Sequence, residues 1–256
     1  MPGTAYTAYY LTGEGPANSA AGAGRLSMTE PAVGFVDSYL YDPRRPVPSL
    51  GGTMMNTGGY DGPADRRPVH GRDDVLLFTT EPLEQPVEVT GPVTARLFVS
   101  SSAVDTDFTA KLVDVHPDGR AIILCEGIQR MHYRHSLTDP EPMTPGHVYE
   151  IAIDLVATAN VFLPGHRIMV EVSSGNFPRY DRNSNTGGVI AQEHLADMVA
   201  AVNRLHRGAE HPSRIVPPVV PRWELARTGG GSRCLSEAGE GFRRTWAGRP
   251  TIRAWS

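Results

Sequence analysis

Serine, histidine and acidic side chains are the groups of this sequence that could do chemistry, and their spacing limits what they could do. A serine nucleophile on an α/β scaffold needs a G-x-S-x-G elbow, which holds the hydroxyl on a strained strand-to-helix turn. The closest approach is Gly230-Gly231-Ser232-Arg233-Cys234, which lacks the last glycine and follows no strand. Ser100-Ser101-Ser102 ends an expected strand, but no base is visibly paired with it, and three serines there satisfy turn backbone groups. No catalytic residue is therefore expected.

The nine histidines include no H-E-x-x-H arrangement. His132 and His135 lie three apart in an expected strand and so project to opposite faces. His206 and His211 flank Gly208 in an expected turn. All four read as surface groups, and no metal site is expected. Asp105-Thr106-Asp107 places two carboxylates two residues apart, a spacing that could serve calcium. Stabilisation of their own turn backbone is the preferred reading. The densest polar and aromatic loop runs from Ser173 to Asn183. Within it Asn176, Phe177, Arg179, Tyr180, Asp181 and Arg182 are the candidate interface residues, because aromatic and arginine side chains concentrate at contact surfaces. Internal bracing by Arg–Asp pairs is the competing reading.

The elements that would carry these residues read as strands. Apolar alternation marks Val75–Thr80, Val93–Ser100, Phe108–Val115, Arg120–Ile128, Val148–Val156 and Arg167–Ser173, with shorter strands near Thr7–Leu11 and Asp37–Tyr41. Val93, Ala95, Leu97 and Val99 share one face, as do Tyr149, Ile151, Ile153 and Leu155, and as do Ile168, Val170 and Val172. One buried and one wet face per strand is the expectation for antiparallel sheets. His116-Pro117-Asp118-Gly119 supplies a hairpin turn. Leu195, Met198, Val199, Val202 and Leu205 recur at helical spacing, so pattern alone gives an amphipathic helix over Gln192–Leu205. Residues 1–70 are rich in Gly and Pro turns. Six or more strands without intervening helices imply an all-β sandwich or jelly roll.

Composition narrows the classes further. The 256 residues carry 24 basic and 28 acidic side chains, and Lys111 is the single lysine. Seven arginines against three glutamates fall in residues 222–256, leaving the body acidic. An acidic body argues against nucleic acid, which needs clustered cations. No apolar run is long enough for a membrane helix, and the N-terminus has no secretory-signal pattern, so a cytoplasmic location is expected. Cys125, in an apolar run, is expected to be a buried thiol. Residues 222–256 have no stable period and read as a disordered tail after a domain spanning 1–221.

Several long stretches carry a resemblance: YDPRRPVPSLGG (41–52), RDDVLLFTTEPL (72–83), VTGPVTARLFVSSSAVDTDFTAKLVDVHPDGRA (89–121), PGHVYEIAIDLVATANVFLPGHRIMVEVSSGNFPRYDRNSNTG (145–187) and AEHPSRIVPPVVP (209–221). In order and spacing they resemble the C-terminal domain of the CocE/NonD and X-Pro dipeptidyl-peptidase serine hydrolases, over roughly residues 6–221. The resemblance implies a galactose-binding-like jelly roll, with a late strand at about Ala200–His206 in place of the helix. It also implies a family that hydrolyses esters, amides or peptide bonds through a triad housed in a preceding α/β-hydrolase domain. No position here matches a catalytic residue of that family. The expected role is a non-catalytic accessory domain without cofactor, walling the active-site cleft of an α/β-hydrolase domain or joining a homo-oligomer, and presenting an apolar docking patch. The alternative is a carbohydrate- or small-ligand-binding module, which fold analogy alone supports.

Overall fold

The computed structural model describes residues 3–53 and 61–221. The segment 222–256, expected to be a disordered tail, lies outside the described residues, as does Cys234. In chain order the strands are β1 (Ala5–Tyr6), β2 (Tyr9–Thr12), β3 (Arg25–Ser27), β4 (Phe35–Tyr41), β5 (Leu76–Thr79), β6 (Val87–Ser101), β7 (Asp107–Val115), β8 (Ala121–Arg130), β9 (Tyr149–Phe162), β10 (Arg167–Ser173), β11 (Ala201–Arg207), β12 (Arg214–Val216) and β13 (Pro218–Val220).

Antiparallel pairing joins β4, β11, β6 and β9 side by side, and joins β5, β10, β7 and β8 likewise. The short strands link these two groups at their margins. β12 pairs with both β6 and β2, β2 pairs with β3, and β3 meets β5 in parallel. The alternating apolar residues supply the core: Val93, Ala95, Leu97 and Val99 from β6, Ile151, Ile153 and Leu155 from β9, and Ile168, Val170 and Val172 from β10. The chain is thus an all-β sandwich. β8 and β9 approach closely at Gly127; a Cβ there would lie 2.0 Å from the Asp154 carbonyl oxygen, so only glycine fits.

Several strands are longer than alternation suggested. β6 starts at Val87, passing Gly91 at φ 131° and a register shift between Pro92 and Thr94. A bulge of this kind accommodates a proline that cannot donate to the ladder. The helix suggested over Gln192–Leu205 does not form. Only a 3-10 turn at Ile190–Gln192 precedes β11, the late strand implied by the resemblance.

The expectation of one wet face fails for β7 and β10. Both strands are buried on both sides, except at Val115 and Arg167 near their ends. Residues 47–53 and 61–75 lie across their outer face, packing Val47, Val69 and Val75 against Val113, Met169 and Leu77. Charges are trapped beneath this cover. Arg66, fully buried, donates from Nε and Nη2 to the Glu171 carboxylate and from Nη1 to the Leu50 carbonyl, at 3.0–3.2 Å. His70 Nε2 sits 2.7 Å from Glu171 Oε1.

Burial alone would push the Glu171 carboxyl up. The Arg66 charge, the His70 hydrogen bond and charge, and Lys111 outweigh it, holding the carboxyl at about 2 against an ordinary 4.5. A folded-state value below the unfolded one means stability that is fully present above pH 4.5 and lost as pH falls towards 2. Glu171→Gln leaves Arg66 buried without its counter-charge, which costs about 3–5 kcal/mol by analogy with other broken buried pairs. Urea unfolding at pH 7 should show that loss, and the variant should have a flatter acid profile than the parent between pH 4.5 and 2. Equal stability of the two proteins at pH 7 would remove the pair from its central place.

Candidate functional site

The loop after β10 is built from two kinds of residue. Those pointing inward are fixed by the sheet beneath. Asn176, 3% exposed, donates from Nδ2 to Glu126 Oε2 at 2.8 Å and accepts from the Ser49 hydroxyl at 2.9 Å. Arg179 donates from Nη1 to the other oxygen of Glu126. The backbone is held as well: Phe177 N–H donates to the Val47 carbonyl at 3.1 Å and Ser49 N–H to the Phe177 carbonyl at 2.7 Å. Arg130 Nη2 reaches the Asp181 carbonyl at 3.2 Å.

The outward residues are Phe177, Tyr180, Asp181 and Arg182. Arg182 lies 4.9 Å from the centre of the Phe177 ring, and Arg179 lies 5.1 Å from that of Tyr180. Beside them runs a groove of about 470 Å³ lined by Ile128, Arg130, Tyr133, Leu137, Tyr180 and Asp181 among others. Leu137 is 86% exposed, and Tyr133 and Phe177 are each 38% exposed. The six candidate interface residues therefore divide. Asn176 and Arg179 brace the loop through Glu126, and the other four present its surface. The bracing partner is a glutamate on β8; the loop's own Asp181 is bound through its carbonyl.

Asp105 and Asp107 are committed elsewhere. Asp105 accepts from the His132 backbone N–H and from Asn183 Nδ2, both at 2.9 Å. Asp107 takes a two-pronged contact from Arg130 at 3.0 Å and a second Asn183 bond at 2.8 Å. Their acceptors go to remote groups rather than to their own turn, which corrects the sequence reading. These contacts tie the 181–185 segment to the end of β8. His132 belongs to a 3-10 turn, Met131–Tyr133, and not to a strand, so the two-face argument for His132 and His135 does not apply. His135 is exposed.

The serines also differ from expectation. Ser101 accepts the Ala103 backbone N–H, as a turn residue should, whereas Ser102 accepts that of Val202 on β11. Ser100 has a partner that the sequence did not reveal: its hydroxyl lies 2.9 Å from His206 Nε2. His206 is on β11, not in a turn, and β11 pairs Arg204 opposite Ser100, which places the three on one face. Burial, His211 and Arg204 all push the imidazole down from its ordinary value, which favours its neutral form. Among the described residues no carboxylate is hydrogen-bonded to His206. A triad needs that third group to orient and stabilise the imidazolium; here the charged neighbours are cationic and oppose it. Cys125 is buried as expected, and burial pushes its thiol up to about 12, which makes it a poor nucleophile.

Comparisons with known proteins bear on this geometry. The family model for the X-Pro dipeptidyl-peptidase C-terminal non-catalytic domain matches residues 1–216. The chain is 65% identical over 222 residues to cocaine esterase of Rhodococcus sp. strain MB1 Bresler, covering 87% of this chain and 39% of that protein. Among solved structures it is similar to an aminopeptidase from a marine sediment Thaumarchaeota archaeon, with TM-score 0.75 and 33% identity, covering 85% of this chain and 37% of the other. It is similar also to an α-amino acid ester hydrolase, with TM-score 0.74 and 32% identity, covering 84% and 36%. The chain thus spans less than two fifths of the length of each of these proteins. With a matching family model over most of its length and an all-β sandwich fold, the chain belongs to the family of C-terminal non-catalytic domains found in X-Pro dipeptidyl-peptidases and CocE/NonD hydrolases.

Proposed function

We propose that this domain packs on an α/β-hydrolase domain and forms part of the wall of its active-site cleft, using the surface of the 177–182 loop and the neighbouring groove. The observation that carries the reading is the pairing of rigidity with exposure at that loop. Glu126 fixes Asn176 and Arg179 from below, while Phe177, Tyr133 and Leu137 stay accessible above. Aromatic and aliphatic anchors held in place before contact lose little conformational entropy on docking, so more of their burial is available as affinity. The relatives support a partner of this kind, since most of each lies outside the matched region and two of them are named as esterases or ester hydrolases.

The reading places ester chemistry in the partner. The purified chain should not hydrolyse p-nitrophenyl acetate above the buffer rate, and Ser100→Ala should leave that background unchanged. Robust turnover abolished by Ser100→Ala would overturn the reading. Docking is tested by mixing the chain with the catalytic portion of the Rhodococcus cocaine esterase and measuring binding by calorimetry. Association is expected, and Phe177→Ala combined with Leu137→Asp should weaken it by about tenfold or more, the scale of one interface anchor. Failure to associate, or equal affinity of the double variant, would sink the assignment of this face.

A further inference from the structure

At the far end of the β7–β8 hairpin, three side chains with metal-binding donors converge. Asp114 is the penultimate residue of β7, and His116 is the first residue of the turn that follows. Two residues apart on extended chain, they share a face. β10 pairs Arg167 with Val115 and Ile168 with Asp114, so one step further His166 comes opposite His116. The imidazole centres lie 4.4 Å apart at an interplanar angle of 40°. His166 Nδ1 is 2.9 Å from Asp114 Oδ1, and His116 Nε2 is 3.9 Å from Asp114 Oδ2. One donor atom from each of the three residues falls within 4.8 Å of the others.

The backbone around them is already fixed. His166 N–H donates to the Leu163 carbonyl at 3.0 Å, and its own carbonyl accepts from Leu83 N–H at 2.8 Å. His116 exchanges backbone bonds with Arg120 and Gly119 across the turn, at 2.8 and 2.9 Å. Asp114 and His166 are 5% and 8% exposed, whereas the His116 side chain keeps about a quarter of its surface, 26%, in contact with solvent.

Two imidazole nitrogens and one carboxylate oxygen form a donor set for a borderline divalent cation. Calcium and magnesium are hard cations that prefer oxygen ligands, so a set with two imidazole nitrogens among three donors suits them poorly. Ligands about 2.0–2.1 Å from a tetrahedral zinc ion stand roughly 3.3 Å from one another. The two carboxylate–imidazole separations here bracket that value. We propose that Asp114, His116 and His166 form a three-ligand site for zinc or a similar late first-row divalent cation, with a water in the fourth position on the open side of His116. On binding, the ring proton of His166 moves from Nδ1 to Nε2, and Nδ1 takes the metal. Arg120 Nη2 lies 3.4 Å from His116 Nδ1, a long contact. Asp118 holds the same guanidinium at 2.7 Å, so Arg120 can release the imidazole without losing its partner. The ion would clip the β7–β8 hairpin to the β9–β10 turn.

The test is zinc binding by the full 256-residue chain at pH 7.5, measured by competition with a chromophoric chelator, with cobalt(II) absorption as a second readout. One equivalent of zinc is expected, with a visible cobalt band of low coordination number. Asp114→Asn and His166→Gln should each weaken zinc by about tenfold or more, as loss of a ligand from a fixed set requires. His116→Ala, at the most exposed of the three ligands, gives a variant whose circular dichroism should match the parent, so its loss of affinity is not a loss of fold. His211→Ala, which disturbs the other close histidine pair, should bind normally. The proposal is overturned if the parent takes up no stoichiometric zinc, if the three ligand variants bind as the parent does, or if His211→Ala abolishes binding. Ester hydrolysis and domain docking have no part in this readout, so its failure leaves the proposed function standing.

Discussion

Glu171 is a carboxylate on the outer face of a central strand, and the arrangement of the fold keeps it charged while only 2% of its residue surface meets solvent. An isolated carboxylate in such a place would protonate or drag water inward. Two orientated donors of Arg66, Nε and Nη2, and a contact from His70 prevent this. Both donors belong to the segment that crosses over β7 and β10, so the ion pair and the covering layer exist only together. Lys111, two positions from Val113 on the same face, completes the enclosed charge set. Among the described residues its ammonium has no hydrogen-bond partner, and burial drives it down to about 8 despite the nearby Glu126 and Glu171.

The same enclosure determines what the surface can offer. Glu126 shares that buried layer and carries the contacts to Asn176 and Arg179. Its carboxylate also sets the local backbone of the cover: at Gly52, with φ 82°, a Cβ would meet Glu126 Oε1 at 2.1 Å. Glycine is required there both for the left-handed conformation and for the close approach. The chain of constraint therefore runs from buried charges to a rigid loop base, and from that base to four outward-facing side chains, of which Phe177 and Asp181 are exposed and Tyr180 and Arg182 half-buried. A loop free to move would lose much of its binding energy in becoming ordered.

How far the sequence discloses this follows from which residues each side of a strand must satisfy. β6 and β9 read correctly because their core faces are aliphatic and the outward residues of β9 over 150–154 are exposed. β10 shows the same alternation on its inner face, yet Glu171 on the other side suggests water where there is protein. A buried ion pair 105 positions apart leaves no local mark. β11 is the converse case. Ala201, Asn203, Leu205 and Arg207 all point inward, but two of the four are polar, so a search for apolar periodicity finds a helix instead. Asn203 is tolerated because it donates to Thr106 and Ser174, and Arg207 because it binds Asp37 and two loop carbonyls. The loop 176–182 was visible from its composition; that Asn176 and Arg179 turn inward was not, because the glutamate they bind lies 50 or more positions earlier.

Two histidine pairs escaped notice for one geometric reason. Sequence motifs for metals and triads are most legible on helices and tight turns, where partners lie three or four positions apart. On a sheet the nearest neighbours are at i+2 and on the adjacent strand, and the second can be any distance away in sequence. Ser100 and His206 are 106 positions apart and Asp114 and His166 are 52 apart, yet each pair follows from a single register. Once register is known, electrostatics separates the two. His206 faces Arg204 and His211 and, among the described residues, has no carboxylate hydrogen-bonded to it, so a proton taken from Ser100 would find no stabilising charge there. His166 is bonded to a buried carboxylate with a second imidazole beside it, an environment that favours a cation. Similar side chains at similar distances thus differ in what they can hold, and the sign of the neighbouring charge decides between them.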